Sequence, residues 1–305
     1  MKPTPTPLRY PGGKAWLAHY IEKFISFNKL EVDTLVEPFA GGAAVSITLL
    51  QKSIIEQAYI SEIDPLIVAF WEATLNRTEE LIEIVLSMSV DLETWHYMRG
   101  YLQEKSTTNL DVVELAAAFL FLNRTSYSGI IKAGPLGGKD QRSRYKINCR
   151  FNKPRIAKKI EAIGELKGRL NVIKSDGLEL MEKMASSRFE SIVFYVDPPY
   201  YGAGKDLYRH YFTDKEHIEL SVFLESVDKP WLLSYDNADF IKELYKHKTK
   251  SPIYTDYQSG HFKKGVKELL ISNYLIPPLA PEVTLSKWQS NVPGSTHSES
   301  RVESK

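Results

Sequence analysis

One stretch of the chain gathers residue types that can do chemistry: Ile192-Val193-Phe194-Tyr195-Val196-Asp197-Pro198-Pro199-Tyr200-Tyr201. Its β-branched and aromatic run predicts a buried strand. The strand stops on an acid because the two prolines that follow cannot donate to a sheet ladder. Its end therefore offers a carboxylate, a rigid turn of exposed carbonyls and two aromatic rings. A carboxylate and a neighbouring carbonyl can accept both hydrogens of an amino group, while a ring stacks on a flat heterocycle. In open α/β sheets, ligands bind at that end of the strands. Taken alone, the same residues also fit an ordinary strand end with a Pro-Pro turn.

Three other stretches carry complementary groups. Leu8-Arg9-Tyr10-Pro11-Gly12-Gly13-Lys14 reads as a loop feeding a helix from Trp16 to Phe27, with glycines that let the backbone approach a ligand closely. Lys14 falls near the helix start, where the macrodipole disfavours a cation, and this favours a ligand role. The motif is too short for a P-loop. Thr34 to Val45 reads as strand, glycine turn and helix, a nucleotide-type turn without the full dinucleotide fingerprint. A second strand, Ala58 to Ser61, ends at Glu62-Ile63-Asp64. An acid there suits a ribose diol, since a carboxylate accepts from both hydroxyls. Glu62 is the first candidate; Asp64 comes second because an Asp before Pro65 also fits a helix cap.

These groups need elements to hold them. From Leu66 to about Asn123, apolar residues recur at helical spacing near 66–75, 78–88, 92–104 and 111–123, with no strand between, as in an inserted domain. Residues 124–159 break that pattern with turn signals, and Arg144 to Asn148 alternates like a strand, so a basic β-hairpin is expected. Arg124, Lys132, Lys139, Arg142, Arg144, Lys146, Arg150, Lys153, Arg155, Lys158 and Lys159 face a single acid, Asp140, and Tyr127, Tyr145 and Phe151 interleave with them. Such runs are commonly solvated faces. In a chain whose formal charge is only +1, an isolated cluster mixed with turns and aromatics points to a polyanion.

Regular α/β order then resumes. Helices near 154–168, 177–186, 214–226 and 237–247 alternate with strands at Asn171 to Lys174 (ending at Ser175-Asp176), 192–196 and Trp231 to Ser234. Two last strands, 253–257 and 268–274, are joined by a link too short for a helical crossover and should be antiparallel. That gives seven strands. At 305 residues and 43% hydrophobic, the chain can bury one large core or two smaller ones. Its one cysteine, Cys149, excludes an internal disulfide and a multi-cysteine metal site. No apolar run approaches a membrane span, and the start lacks a signal peptide's apolar region, so a soluble, cytoplasmic protein is expected.

In this order the motifs resemble those of the Dam-like, D12 class DNA adenine-N6 methyltransferases, from Leu8 to Ile276. The resemblance implies a Rossmann-like class I fold that binds S-adenosyl-L-methionine (AdoMet) and needs no metal. It implies an α/β catalytic domain from 1–65 and 160–278, with a seven-stranded mixed sheet, and a mainly helical target-recognition insert at 66–159. The 279–305 tail, rich in Ser, Pro and charge, should be disordered. Tyr10 and Lys14 map to cofactor contacts. Val36-Glu37-Pro38-Phe39-Ala40-Gly41-Gly42 resembles the AdoMet motif, which assigns Phe39 and Gly41; Glu62 and Asp64 follow for the ribose and Asp176 for the cofactor's adenine. Asp197-Pro198-Pro199-Tyr200 matches the catalytic tetrad in full, and Asp197 borders the cofactor as well. Phe121 to Gly129 resembles the segment opening the DNA-binding hairpin, with Asn123 and Arg124 at its start and Lys139, Arg142, Arg144 and Lys146 along it. Glu268 to Tyr274 resembles the C-terminal strand.

There are departures. Ala43 stands where glycine is commoner, and should fit if it faces the sheet. Glu62 replaces a commoner Asp, and the hairpin is unlike that of GATC-reading members, so no recognition sequence is carried over. The implied partner is double-stranded DNA, with a restriction endonuclease as a separate partner and a monomer as the working form. N4-cytosine methyltransferases usually begin the tetrad with Ser, and protein-glutamine or ribosomal-RNA enzymes with Asn; the Asp-led tetrad argues against both. Intact Tyr10, Lys14, Glu62 and Asp197 argue against a non-catalytic DNA-binding protein on the same scaffold.

Overall fold

The computed structural model describes residues 4–10, 14–103, 111–186, 189–202, 211–255 and 266–278. Gly12, Gly13, the link between the last two strands and the 279–305 tail lie outside them. The strands are β1 (Thr34–Glu37), β2 (Gln57–Glu62), β3 (Leu170–Lys174), β4 (Ile192–Val196), β5 (Trp231–Asp236), β6 (Thr249–Thr255) and β7 (Val266–Ser272). They form one sheet of order β3-β2-β1-β4-β5-β7-β6. β1 to β5 run parallel, and β7 is antiparallel to both its neighbours. This is the mixed sheet with an antiparallel end that the sequence leads one to expect. β6 starts at Thr249, earlier than expected, and takes in Pro252. An edge strand can hold a proline because one row of its backbone groups has no ladder partner.

The helices are α1 (Leu17–Phe27), α2 (Ala44–Gln51), α3 (Pro65–Asn76), α4 (Thr78–Ser87), α5 (Leu92–Gln103), α6 (Val112–Thr125), α7 (Lys153–Gly164), α8 (Gly177–Ala185), α9 (Asp214–Ser226) and α10 (Asp239–Leu244). β4 is buried along its whole length, as expected of a parallel strand covered on both faces. Phe194 and Val196 face a core shared with Leu180 and Met181 of α8, Leu220 and Leu224 of α9, and Ile241 of α10. The opposite face of the sheet meets α2, where Ser46 bonds Glu37 of β1. The chain steps outward from β1 to β3 and then returns to the far side of β1 as β4. That reversal opens a crevice at the carboxyl ends of the two strands, where Glu37 and Asp197 sit.

The stretch between β2 and β3 is helical, as expected, but closely tied to the sheet. Asp64 caps α3 by accepting from the Leu66 N–H, with Pro65 in the first turn. Residues Leu66 to Leu75 of α3 are buried apart from Glu72, because α3 lies between strands β2 and β3 on one side and α6 on the other. Residues Thr4–Pro277 form one compact unit.

The basic β-hairpin is a correction. Among the described residues of 124–159 there is one isolated bridge, Ser126 to Pro135, and Ile147–Arg150 forms a 3-10 turn. Arg144 to Asn148 does not pair, and the Gln141 side chain ties this segment to the preceding turn instead. Its amide donates to the carbonyls of Leu136 and Gly138, and its oxygen accepts from the Ile147 N–H at 2.8 Å.

Two glycines test the packing in opposite directions. A Cβ at Gly164 of α7 would lie 2.6 Å from Thr78 Oγ1 of α4, whereas one at Gly100 in α5 meets nothing within 4 Å. Gly164→Ala should overpack the α4–α7 contact and lose about 1–3 kcal/mol. Gly100→Ala should gain roughly 0.5–1 kcal/mol by restricting the unfolded chain. Denaturation midpoints shifting in opposite senses check both.

Candidate active site

The strand ends deliver charged groups into one place. Asp197 follows β4 directly, and Val196 pairs with Leu233 of β5, so Ser234 lies beside Asp197. Ser234 Oγ donates to Asp197 Oδ1 at 2.9 Å. The Lys14 ammonium, only 7% exposed, donates to the same oxygen at 2.5 Å. It also bonds the Tyr200 hydroxyl, lies 4.6 Å from the centre of the Tyr200 ring, and reaches Glu268 of β7 at 3.7 Å. Both oriented donors thus fall on Oδ1. Among the described residues no hydrogen bond reaches Oδ2, and the Asp197 side chain keeps 26% of its surface exposed. One oxygen is pinned and the other is left to accept.

The tetrad is held from its far side too. The carboxylate of Asp236, two residues beyond Ser234 and on the same face of β5, accepts from the N–H groups of Tyr201 at 3.0 Å and Gly202 at 2.8 Å. Pro198 and Pro199 have no N–H, so the turn lacks the donors that usually hold such a loop; the grip on Tyr201 and Gly202 supplies the missing restraint. Tyr200 is buried, while Tyr201 is 40% exposed and stacks on Phe240 with ring centres 4.7 Å apart. Glu37 is buried at the end of β1, bonded to the Ser46 N–H and hydroxyl. Burial, aided by the nearby charge of Asp197, pushes its carboxyl up to about 7.

The expected cofactor residues surround the turn after β1. Gly41 adopts φ +47°, and the Tyr10 ring packs against it so closely that a Cβ there would lie 3.0 Å from Tyr10 Cε1. The Gly41 N–H donates to Glu62 at 3.2 Å. Burial, with Asp64 adding to it, pushes the Glu62 carboxyl up to about 7. Ala43 is buried at φ 44°; its Cβ fits, in a left-handed conformation that costs an alanine about 1 kcal/mol. Asp176 caps α8 through the Leu178 N–H and lines a small cleft with Leu178 and Phe212. Phe39 meets Phe212 edge-on at 5.4 Å. Gly177 makes that possible, since a Cβ there would sit 2.4 Å from Phe39 Cε1. Asp64 is 3% exposed and serves as the cap of α3.

The expected DNA-facing residues divide. Lys139, Arg142, Arg144 and Lys146 are exposed. Asn123 is a correction: it is 2% exposed, and its amide holds both backbone groups of Arg9 and the Gly129 carbonyl. It positions the N-terminal motif and presents nothing outward. Arg124 is partly buried and donates to the carbonyls of Pro7 and Arg150. Sequence reasoning missed Ser234, Asp236, Glu37 and Glu268. The Ser-x-Asp pair at the end of the strand beside the tetrad was the available signal, since alternate residues share a face.

Among the described residues no cluster of His, Cys, Asp and Glu could hold a metal, and no helix is long and apolar enough to cross a membrane. The seven-stranded sheet, with its order β3-β2-β1-β4-β5-β7-β6 and a glycine turn after β1, is the Rossmann-like class I fold that the sequence leads one to expect. Residues 10–258 match the family of D12 class N6 adenine-specific DNA methyltransferases, and the chain belongs to that family. It is similar to the type II methyltransferase M.MjaIII of Methanocaldococcus jannaschii, 28% identical and covering 88% of this chain and 98% of that protein. It is also similar to the type II methyltransferase M.CviBI of Paramecium bursaria Chlorella virus NC1A, 26% identical over 86% of this chain and 91% of that one. A solved structure of a proposed RNA methyltransferase from Pyrococcus horikoshii aligns over 87% of this chain and 86% of its own, at 10% identity and a TM-score of 0.38.

If Ser234 and Asp236 position the tetrad, their loss should act on rate more than on affinity. Ser234→Ala should lower the single-turnover rate about tenfold and Asp236→Ala about a hundredfold, the scale of a misplacement near 1 Å. Calorimetric AdoMet affinity should hold within about threefold. A loss confined to affinity would assign these residues a different task.

Proposed function

We propose that this enzyme methylates N6 of an adenine flipped out of double-stranded DNA at a specific site. The observation that carries the reading is Asp197, with Oδ1 pinned by Lys14 and Ser234 and Oδ2 left to accept. The exocyclic amine of adenine is a poor nucleophile because its lone pair is delocalised into the ring. Asp197 Oδ2 and the Pro198 carbonyl accept its two hydrogens, which favours a tetrahedral nitrogen and aims the lone pair. Tyr200 stacks on the base. AdoMet would supply the methyl group directly to that nitrogen: the N–CH3 bond forms as the sulfonium S–CH3 bond breaks, S-adenosylhomocysteine is the leaving group, and one N6 proton is lost through Asp197 Oδ2 to solvent, without a covalent enzyme intermediate. Positioning and electrostatics provide most of the acceleration.

For AdoMet, Glu62 takes the ribose hydroxyls, the Gly41–Gly42 turn admits the backbone side, and Asp176 with Phe39 flanks the adenine. Tyr10 closes over the turn, and Lys14 and Asp197 border the reactive end. A base inside a duplex is out of reach, so it must be flipped, at a cost of a few kcal/mol. The 66–159 segment is the target-recognition region, with Lys139, Arg142, Arg144 and Lys146 on phosphates and base edges. The names of the two type II relatives support site-specific methylation; a separately acting restriction endonuclease, a monomeric working form and a cytoplasmic location are part of the same proposal.

Incubating unmodified genomic DNA with AdoMet and mapping modified bases tests acceptor and site together. N6-methyladenine in a defined sequence context is expected, and Asp197→Ala should abolish it with DNA binding retained. Modified cytosine, or no modification, would remove the reading.

Glu62 makes a second test through pH. As a ribose acceptor it must be ionised, but in the free protein its carboxyl is held up near 7. Below that pH, binding must therefore expel a proton, so AdoMet affinity should fall as pH drops from about 7.5 to 6. The free fold has the opposite trend: the raised pKa contributes stability that is fully present below the ordinary carboxyl range and is lost as pH rises through about 7. Calorimetry in buffers of different ionisation enthalpy should register proton release, and Glu62→Gln should abolish the pH dependence. A pH-independent wild-type affinity would remove Glu62 from the cofactor site.

A further inference from the structure

Five cations crowd together beside the N-terminal motif with no carboxylate among them: Arg9, Arg124, Arg150, Arg155 and Lys159. Their hydrogen bonds go to neutral oxygens. Arg124 Nη1 donates to the Pro7 carbonyl at 3.2 Å, and its other terminal nitrogen to the Arg150 carbonyl. Lys159 Nζ donates to the Thr6 carbonyl at 2.8 Å and to Thr4 Oγ1 at 3.2 Å. Arg9 Nη1 donates to the Ser126 carbonyl at 3.2 Å. Arg124 Nε is buried and has no hydrogen-bond partner among the described residues.

The charged groups these cations feel are mainly each other. Arg124 interacts with Arg9, Arg150 and Arg155, with a smaller opposite contribution from Cys149, and Lys159 with Arg124 and Arg155. Burial and this mutual repulsion push Lys159 down to about 8 and Arg124 down to about 10. Arg155 also lies in the first turn of α7, which holds no acidic residue, so the helix dipole adds to the positive potential. Lys14, by contrast, meets two carboxylates, Asp197 and Glu268. Here the fold concentrates donors, and among the described residues no carboxylate pairs with them. Arg150 and Arg155 are exposed, so an anion can enter from solvent. Planar guanidinium forks match the tetrahedral oxygens of a phosphate better than a carboxylate-free protein surface requires.

We infer that this cluster is a phosphate-binding site, distinct from the exposed Lys139 to Lys146 loop, and that it takes a backbone phosphodiester of the DNA. The inference rests on the DNA reading above, and its position fits that reading. Arg9 immediately precedes Tyr10, whose ring covers the glycine turn, so a phosphate held here would fix the duplex against the N-terminal motif.

The test uses Arg150→Gln/Arg155→Gln, exposed side chains whose loss leaves the Arg124 hydrogen bonds in place. The slope of log affinity against log salt for duplex DNA should flatten by about one to two units relative to wild type. AdoMet affinity should be unchanged, which reports an intact fold. Lys242→Gln/Lys246→Gln, which removes two surface lysines paired with acids, should leave the slope as it was. Thermal denaturation with inorganic phosphate, at ionic strength matched with chloride, gives a second arm: phosphate should stabilise the wild type more than the double variant. A wild-type slope in the Arg150/Arg155 variant, with the wild-type enzyme methylating adenine, overturns the site and leaves the DNA reading standing. Phosphate protection lost in the variant without any change in slope also overturns it, by assigning the cluster to a free anion. A wild-type protein that leaves adenine unmethylated overturns the underlying reading instead.

Discussion

The ion pair between Lys14 and Asp197 is the interaction on which the rest of the crevice depends. Taking a carboxylate and an ammonium out of water costs several kcal/mol per ion, and only good geometry with further hydrogen bonds offsets it. Here the geometry comes from the sheet. β4 ends on Asp197, β5 places Ser234 beside it, and β7 brings Glu268 to within 3.7 Å of the same ammonium. Glu37 at the end of β1 would add a further negative charge, but burial holds its carboxyl near 7 and two bonds from Ser46 satisfy it. Lys14 is thereby left to balance Asp197 and Glu268. Removing it would take a cation from both Asp197 and Glu268, so this lysine serves folding and chemistry together.

What fixes Lys14 lies far away in sequence. The N-terminal motif has no regular structure around Leu8 to Tyr10, and the Asn123 amide at the end of α6 takes both backbone groups of Arg9, 114 residues distant. Arg9 in turn sets Tyr10 over the Gly41–Gly42 turn, and Lys14 follows at the start of α1. The helices between β2 and β3 therefore support the crevice itself. Through α3 they lie on the sheet, and through α6 they hold the segment that delivers the active-site lysine. An asparagine in an otherwise apolar helix is costly to bury unless every group is bonded, and Asn123 meets that condition.

The parts legible in sequence share a property: each is local. Asp197-Pro198-Pro199-Tyr200, the turn after β1, Glu62 after β2 and the Asp64 cap are set by residues a few positions apart. Strand ends could be read from the prolines and glycines that terminate them, and most helices from their spacing. Ser234, Asp236 and Glu268 act across strand pairs, and their partners are decided by register, which sequence spacing does not encode. Alternation at Arg144 to Asn148 was misleading for a related reason. A strand needs a partner strand, and here the Gln141 side chain ties the segment to the preceding turn instead. The family resemblance placed Asn123 at the start of a DNA-facing surface, although its real neighbour is Arg9.

Folding leaves two electrostatic imbalances in a chain that is close to neutral as a whole. In the crevice, Asp197 keeps an acceptor oxygen to which nothing in the described structure donates. Beside Arg9, a group of donors is held together with no carboxylate among the described residues to receive them. Each imbalance calls for a ligand of opposite character: N–H groups for the first, phosphate oxygens for the second. A nucleic acid carries both, with amino groups on base edges and a phosphate at every step of its backbone. An isolated nucleobase would satisfy only the carboxylate, and a simple polyanion only the arginines. The two proposed sites would therefore take complementary parts of one substrate, and Arg9 and Lys14, five positions apart in the chain, contribute one to each.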